Sequence, residues 1–168
     1  MPTPTYTAIA TQTLTASAAT MVFSSIPQTY TDLVIVCNLI NGTTMGMQVG
    51  NGTVDTGASS YTAVPMSYGT AVNTNTYTQS YAVIGMPWVG GEWNEASTYV
   101  INIGNYTNTN GFKPMTCRSN SAGNRESVAT GASWKSTSAI NIISLNFDNV
   151  TSLMSTYSTA TLYGIKGS

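Results

Sequence analysis

Along most of this chain apolar and polar residues alternate with a period of two, and no segment carries the 3.6-residue apolar period of an amphipathic helix. Leu33, Ile35, Cys37 and Leu39 form one face of a run whose other face holds Val34, Val36 and Ile40. A strand apolar on both faces is predicted to be central and covered on both sides. Tyr99, Ile101 and Ile103 alternate with Val100, Asn102 and Gly104, the pattern of a half-buried strand. Between Ile140 and Phe147, the set Ile143, Leu145 and Phe147 opposes Ser144 and Asn146, and the adjacent pair Ile142-Ile143 breaks phase, which predicts a β-bulge. Thr161, Tyr163 and Ile165 alternate with Ala160, Leu162 and Gly164 near the end. Val, Ile, Thr and Tyr also fill 5–14, 20–25, 44–49, 77–87, 112–119 and 126–135, which are further strand candidates.

Turn signals separate these runs: Asn41-Gly42, Asn51-Gly52, Gly90-Gly91, Asn110-Gly111 and Gly123-Asn124. Short strands without helical spacers predict antiparallel pairing. At this length the stable arrangement is an all-β, two-sheet sandwich of jelly-roll-like form. One domain spans 1–168, and residues 1–5, with Pro2 and Pro4, read as an extended N-terminal arm or a frayed terminus. The Gly-, Ser-, Thr- and Asn-rich stretch from Gly50 to Asn75 is predicted to be a long loop with a short strand around Tyr61 to Tyr68.

Composition then narrows the function. Of 168 residues, five are Lys or Arg and six Asp or Glu, while 28 Thr, 19 Ser and 15 Asn carry the surface polarity. Such a chain is 42% hydrophobic with a net charge of −1, which is not the composition of disorder. Five cations do not neutralise a phosphate track, so nucleic acid is not an expected partner. Little net charge also means little self-repulsion, so association with copies or partners is expected. The longest apolar run, Leu33 to Cys37, has five residues, and the first residues hold no basic and apolar leader, so neither a membrane span nor a secretory signal is predicted. Cys37 and Cys117 lie in separate strand-like runs and read as buried reduced thiols, with a disulfide between them left open. The sequons at Asn41, Asn51, Asn105 and Asn149 are what an Asn- and Thr-rich chain produces by chance.

Catalytic chemistry is thinly supplied. The chain has no His, no phosphate-binding glycine motif and no metal-ligand spacing, so no catalytic residue, cofactor or metal is assigned and the chain reads as not an enzyme. One constellation stands out: Trp88, followed by Glu92, Trp93 and Glu95 in a Gly-rich stretch. Two carboxylates beside two indoles suit a glycosidase, a sugar-stacking surface, or simply a solvated loop. Four of the five cations, Lys113, Arg118, Arg125 and Lys135, fall within one 23-residue stretch downstream of it. They read as exposed strand positions or as a patch complementary to Glu92 and Glu95 that orients a neighbouring subunit. These eight residues form the candidate interaction surface.

Three segments carry a family resemblance. Phe23-Ser24-Ser25-Ile26-Pro27-Gln28-Thr29-Tyr30-Thr31-Asp32-Leu33-Val34-Ile35 resembles a segment near the start of certain tailed-bacteriophage virion domains. Ser158-Thr159-Ala160-Thr161-Leu162-Tyr163-Gly164-Ile165-Lys166 resembles their closing segment, and Tyr6-Thr7-Ala8-Ile9-Ala10 their opening. The motifs bracket nearly the whole chain, although 42–130 is not matched in detail. They specify strands rather than a site. The domain of that family ends long tail fibres and also occurs as a small free-standing virion protein. Here it begins at Met1 and ends just beyond Ile165, which favours the free-standing form.

The resemblance therefore implies a virion protein, placed on the capsid surface as a decoration or cement protein. Its partners would be the major capsid protein and copies of itself. The alternative is a tail-fibre or receptor-binding module that contacts host glycan. Pro27 should stop a strand, Thr31 and Asp32 should bond backbone at the turn before 33–40, and Gly164 should permit a close approach.

Overall fold

In a computed structural model of the chain, residues 5–40, 45–68, 77–85, 96–121, 127–147 and 153–167 are described. Alternating side chains set thirteen strands: β1 (Tyr6–Thr13), β2 (Thr20–Phe23), β3 (Asp32–Ile40), β4 (Met45–Asn51), β5 (Thr53–Val54), β6 (Tyr61–Tyr68), β7 (Tyr77–Gln79), β8 (Ala82–Gly85), β9 (Ala96–Ile103), β10 (Lys113–Ser121), β11 (Ser127–Trp134), β12 (Ile142–Phe147) and β13 (Thr159–Ile165). All pair antiparallel, in an eight-stranded sheet ordered β1-β13-β3-β9-β10-β11-β6-β7 and a smaller sheet ordered β2-β12-β4-β5, with β8 also on β4.

Eight of these strands trace a jelly roll. β1, β13, β3 and β9 lie in one sheet and β2, β12, β4 and β8 in the other, so the chain changes sheet at almost every connection. Two excursions enlarge this frame. β5 to β7 enter between β4 and β8, and β10 and β11 between β9 and β12; together β10, β11, β6 and β7 widen the large sheet beyond β9. The hairpin from β4 to β5 turns at Gly52, whose φ of 80° suits the absence of a Cβ.

The core lies between the sheets. Leu33, Ile35, Cys37 and Leu39 from β3, with Tyr99, Ile101 and Ile103 from β9, face Met45, Met47 and Val49 from β4 and Ile143, Leu145 and Phe147 from β12. Two sequence expectations need correction here. β3 is central in its sheet, but its second face is covered only in part: Val34 is buried while Val36 is 40% exposed. No bulge occurs at Ile142-Ile143, which pair in unbroken register with Gly50 and Val49. The phase break arises because Ile140, ahead of the strand, is itself a core residue. The bulges lie instead at Ala8/Ala10 in β1 and opposite Met45/Gly46 in β4. Within 50–75 the strand expected around Tyr61 to Tyr68 is β6, with those bounds, and the two-residue β5 is the one described strand that the sequence pattern does not anticipate.

Cys37 and Cys117 are free and buried. Cys37 pairs with Tyr99 and Cys117 with Ile101, so all of β9 separates them and no disulfide can bridge the gap. Burial pushes the Cys37 thiol up to about 12 and raises Cys117 as well, leaving both as inert core groups.

The segments that bracket the chain meet in the fold. A Cβ on Gly164 would lie 2.3 Å from the Tyr30 ring, so the close approach is that of an aromatic ring on β13. Thr31 donates its N–H to Ile165 O at 2.8 Å, and Thr31 Oγ1 accepts the Gly167 N–H at 2.9 Å. Asp32 Oδ1 accepts the Asn105 N–H at 2.7 Å, and the Tyr106 hydroxyl donates to Pro27 O. The Tyr-Thr-Asp turn thus clasps β13 and the β9–β10 connection.

Candidate interaction surface

Polar side chains are concentrated at the end of the sandwich where β6, β10 and β11 meet. Tyr61, fully buried, donates its hydroxyl to Val49 O at 2.9 Å and accepts the Val49 N–H at 2.8 Å. Asp55 takes three bonds of 2.8 Å, from Trp134 Nε1, the Gly57 N–H and Ser60 Oγ. Burial alone would raise the Asp55 pKa. The bonds from Trp134, Gly57 and Ser60 outweigh it and hold the carboxyl below its ordinary value. This cluster locks the β5–β6 connection onto β11.

Lys113 belongs to the same end, and the expectation that it is an exposed contact residue is corrected. It is fully buried. Its ammonium donates to Gly111 O at 2.9 Å, reaches Ser136 O and Thr137 O at 3.4 and 3.3 Å, and lies 6.0 Å from the Trp134 ring centroid. Three carbonyls and an indole face replace water around the charge, and burial lowers its pKa. Lys113 is a structural plug.

Arg118 and Lys135 are exposed, as expected. Lys135 sits just past β11, with its N–H donated to Ser60 O. Arg118 lies mid-strand on the outer face of the large sheet. Trp88, Glu92, Trp93, Glu95 and Arg125 fall outside the described residues. So do residues 1–4, and with them most of the expected 1–5 arm.

What sequence reading missed is the surface around Arg118. Strand register sets Val36 beside Val100, Val100 beside Arg118, Arg118 beside Ala129 and Ala129 beside Met66, in one row across five strands. Val36, Val100 and Met66 are among the exposed large hydrophobic residues, Met66 at 54%, and Val64 extends the row along β6. Thr98, Asn102, Thr116 and Asn120 frame it with uncharged polar groups. A shallow depression of about 450 Å³ opens between Met66, Val100, Arg118 and Ala129. Arg118 has no ion pair or hydrogen bond among the described residues. The signal was present: Val34 and Val36 alternate with core residues on a strand whose second face need not be covered. Among the described residues no group of three or more His, Cys, Asp or Glu could hold a metal.

No family model matches this chain, and no curated protein does. Among solved structures, an alginate lyase mutant in complex with alginate trisaccharide is similar at 10% identity with a TM-score of 0.35, covering 97% of this chain and 99% of that one. A polysaccharide lyase of family 18 is similar at 12% identity and a TM-score of 0.14, covering 89% of each chain. An aerolysin-like protein from Bombina maxima has 7% identity and a TM-score of 0.15, covering 84% of this chain and 93% of its own. The expectation that the chain is not an enzyme is corrected by the first of these: with an alginate lyase as structural neighbour, that exclusion is withdrawn. At a TM-score of 0.35 the likeness carries no argument for lyase chemistry in its place.

Proposed function

We propose that this chain is a tailed-bacteriophage virion protein that decorates the capsid, docking through the outer face of its large sheet. The observation that carries this reading is the row Val36–Val100–Arg118–Ala129–Met66. It is an exposed apolar stripe on the large sheet, with one cation that has no partner among the described residues and a rim of hydroxyls and amides. Apolar centres with uncharged polar rims suit protein contacts, because few ions must be desolvated on docking. The sequence resemblance supports the virion setting, since the Tyr30 and Gly164 segments that carry it form one packed unit. A protein that binds only the assembled lattice opposes its dissociation by mass action, which is what a cement does. A stable contact of this kind buries over ~1,000 Å² in total.

Gold-labelled antibody on intact virions of the phage that encodes the chain tests the setting: label over the head is expected. Label confined to the tail moves the reading to receptor binding, and virions without label overturn both. Purified heads lacking the protein then test the face. Arg118→Glu and Val100→Asp should each weaken rebinding at least tenfold with unchanged melting, and unchanged rebinding would reject this face.

A further inference from the structure

Sheet edges are where a β-sandwich recruits other chains, because their outward N–H and C=O groups are unpaired. Natural folds blunt them with short strands, charges or proline. At one end of the large sheet β7 has three residues, and in the small sheet β2 has four and β5 two. The β2 edge is also sealed from within, because Gln12 Nε2 donates to Val22 O. β1, at the other end of the large sheet, is neither short nor charged and holds no proline: it runs eight residues, Tyr6–Thr13. The bulge it carries lies at Ala8/Ala10, ahead of a regular stretch from Ala10 to Thr13.

This edge is held ready rather than frayed. Ile9 and Leu14 pack against the core, Tyr6 lies edge-on to Tyr163 at 6.4 Å between centroids, and Thr11 Oγ1 is 3.1 Å from Thr161 Oγ1. Leu14 donates its N–H inward to Ser158 O at 2.9 Å. Alternation along the strand then turns the backbone groups of Thr13 and Thr11 to the open side.

We propose that β1 pairs with β1 of a second copy, antiparallel about a two-fold axis, so that two eight-stranded sheets join into one. The same strand on both sides makes the contact self-complementary, as a two-fold interface requires. Antiparallel pairing about an axis normal to the sheet keeps corresponding faces on the same side. The two Val36–Met66 rows therefore lie on one surface of the dimer, and a capsid partner would be gripped twice. The pairing itself is a property of the free protein and does not depend on the virion reading.

Sedimentation velocity of the purified full chain over a concentration series is the test. A monomer–dimer equilibrium is expected, with the Thr11 and Thr13 amides exchanging more slowly in the dimer. Thr11→Pro removes the open-side N–H together with the exposed hydroxyl contact to Thr161, and should weaken dimerisation at least tenfold while melting falls only slightly. Thr11→Lys, which puts like charges near the axis, should act in the same direction and replaces the proline variant if that one melts early. A monomer at every concentration overturns the proposal. So does a dimer that both variants leave intact, since another surface must then hold it. Head binding that survives in a monomeric variant would separate this contact from the capsid contact.

Discussion

Ile101 and Val100 are neighbours on β9, alike in shape and strand preference, and they point to opposite faces of the same sheet. Ile101 is completely buried between the sheets, whereas Val100 is 36% exposed in the row that runs from Val36 to Met66. The same division holds on β3, where Ile35 is core and Val36 is surface. Strand preference and burial are thus separate demands. A β-branched residue fits a pleated surface on either face, but only the inner face loses water on folding. The inner face specifies the fold, and the outer face leaves the same side-chain chemistry exposed to solvent.

The largest effect should come from breaking the inner face. Ile101→Ala removes a buried branched side chain facing β4 and β12 and should cost about 4 kcal/mol in denaturant unfolding. Val100→Ala, one residue away, should stay within about 0.5 kcal/mol of the parent. Equal costs for the two would mean that the outer face is packed after all.

A smaller loss is expected where a ring takes the place of a side chain. Gly164→Ala drives a methyl into the Tyr30 ring and should cost about 2 kcal/mol by overpacking. Combining it with Tyr30→Ala should cost less than the sum of the two, a coupling that a double-mutant cycle reads directly. Strict additivity would show that the ring moves aside freely.

Next comes the polar end. Asp55 has a folded pKa below its ordinary value, so its bonds stabilise the fold above the unfolded carboxyl pKa of about 4. That contribution fades as pH falls through the lower folded value. Asp55→Asn should cost about 1 kcal/mol near neutrality, since the site is partly open to solvent. The gap between variant and parent melting temperatures should close as pH falls below about 4, and a gap constant with pH would sink this account. The smallest effect on the fold is expected on the outer row. Val36→Thr and Met66→Thr should each change stability by no more than about 0.5 kcal/mol while lowering head rebinding.

Much of the fold was legible, because alternation marks strands wherever one face is buried. The runs 33–40 and 126–135 appear as β3 and β11 within a residue or two. The rest depends on contacts that local pattern does not encode. Val34 and Val36 look like the second face of a covered strand because strand preference and burial choose the same residues. Lys113 looks like a surface cation, yet Ser136 and Thr137, two of the three residues whose carbonyls surround it, come from beyond β11. Asp55 and Trp134, joined through the Nε1–carboxylate bond, are 79 residues apart, and neither forms a motif alone. The row around Arg118 needs the register of five strands, which no single segment carries.

The position of β13 governs when the molecule can form. It lies between β1 and β3, and its contact with β1 joins Thr11 to Thr161 across 150 positions. During synthesis β1 and β3 emerge early and must wait, each with a vacant ladder, for a strand that leaves the ribosome far later. Closing so long a loop before any ladder bond repays it makes this pairing an entropically costly, non-local step. In the interval the nascent chain exposes ladder edges that β13 later covers, so crowded polysomes are where stray pairing between copies is most dangerous.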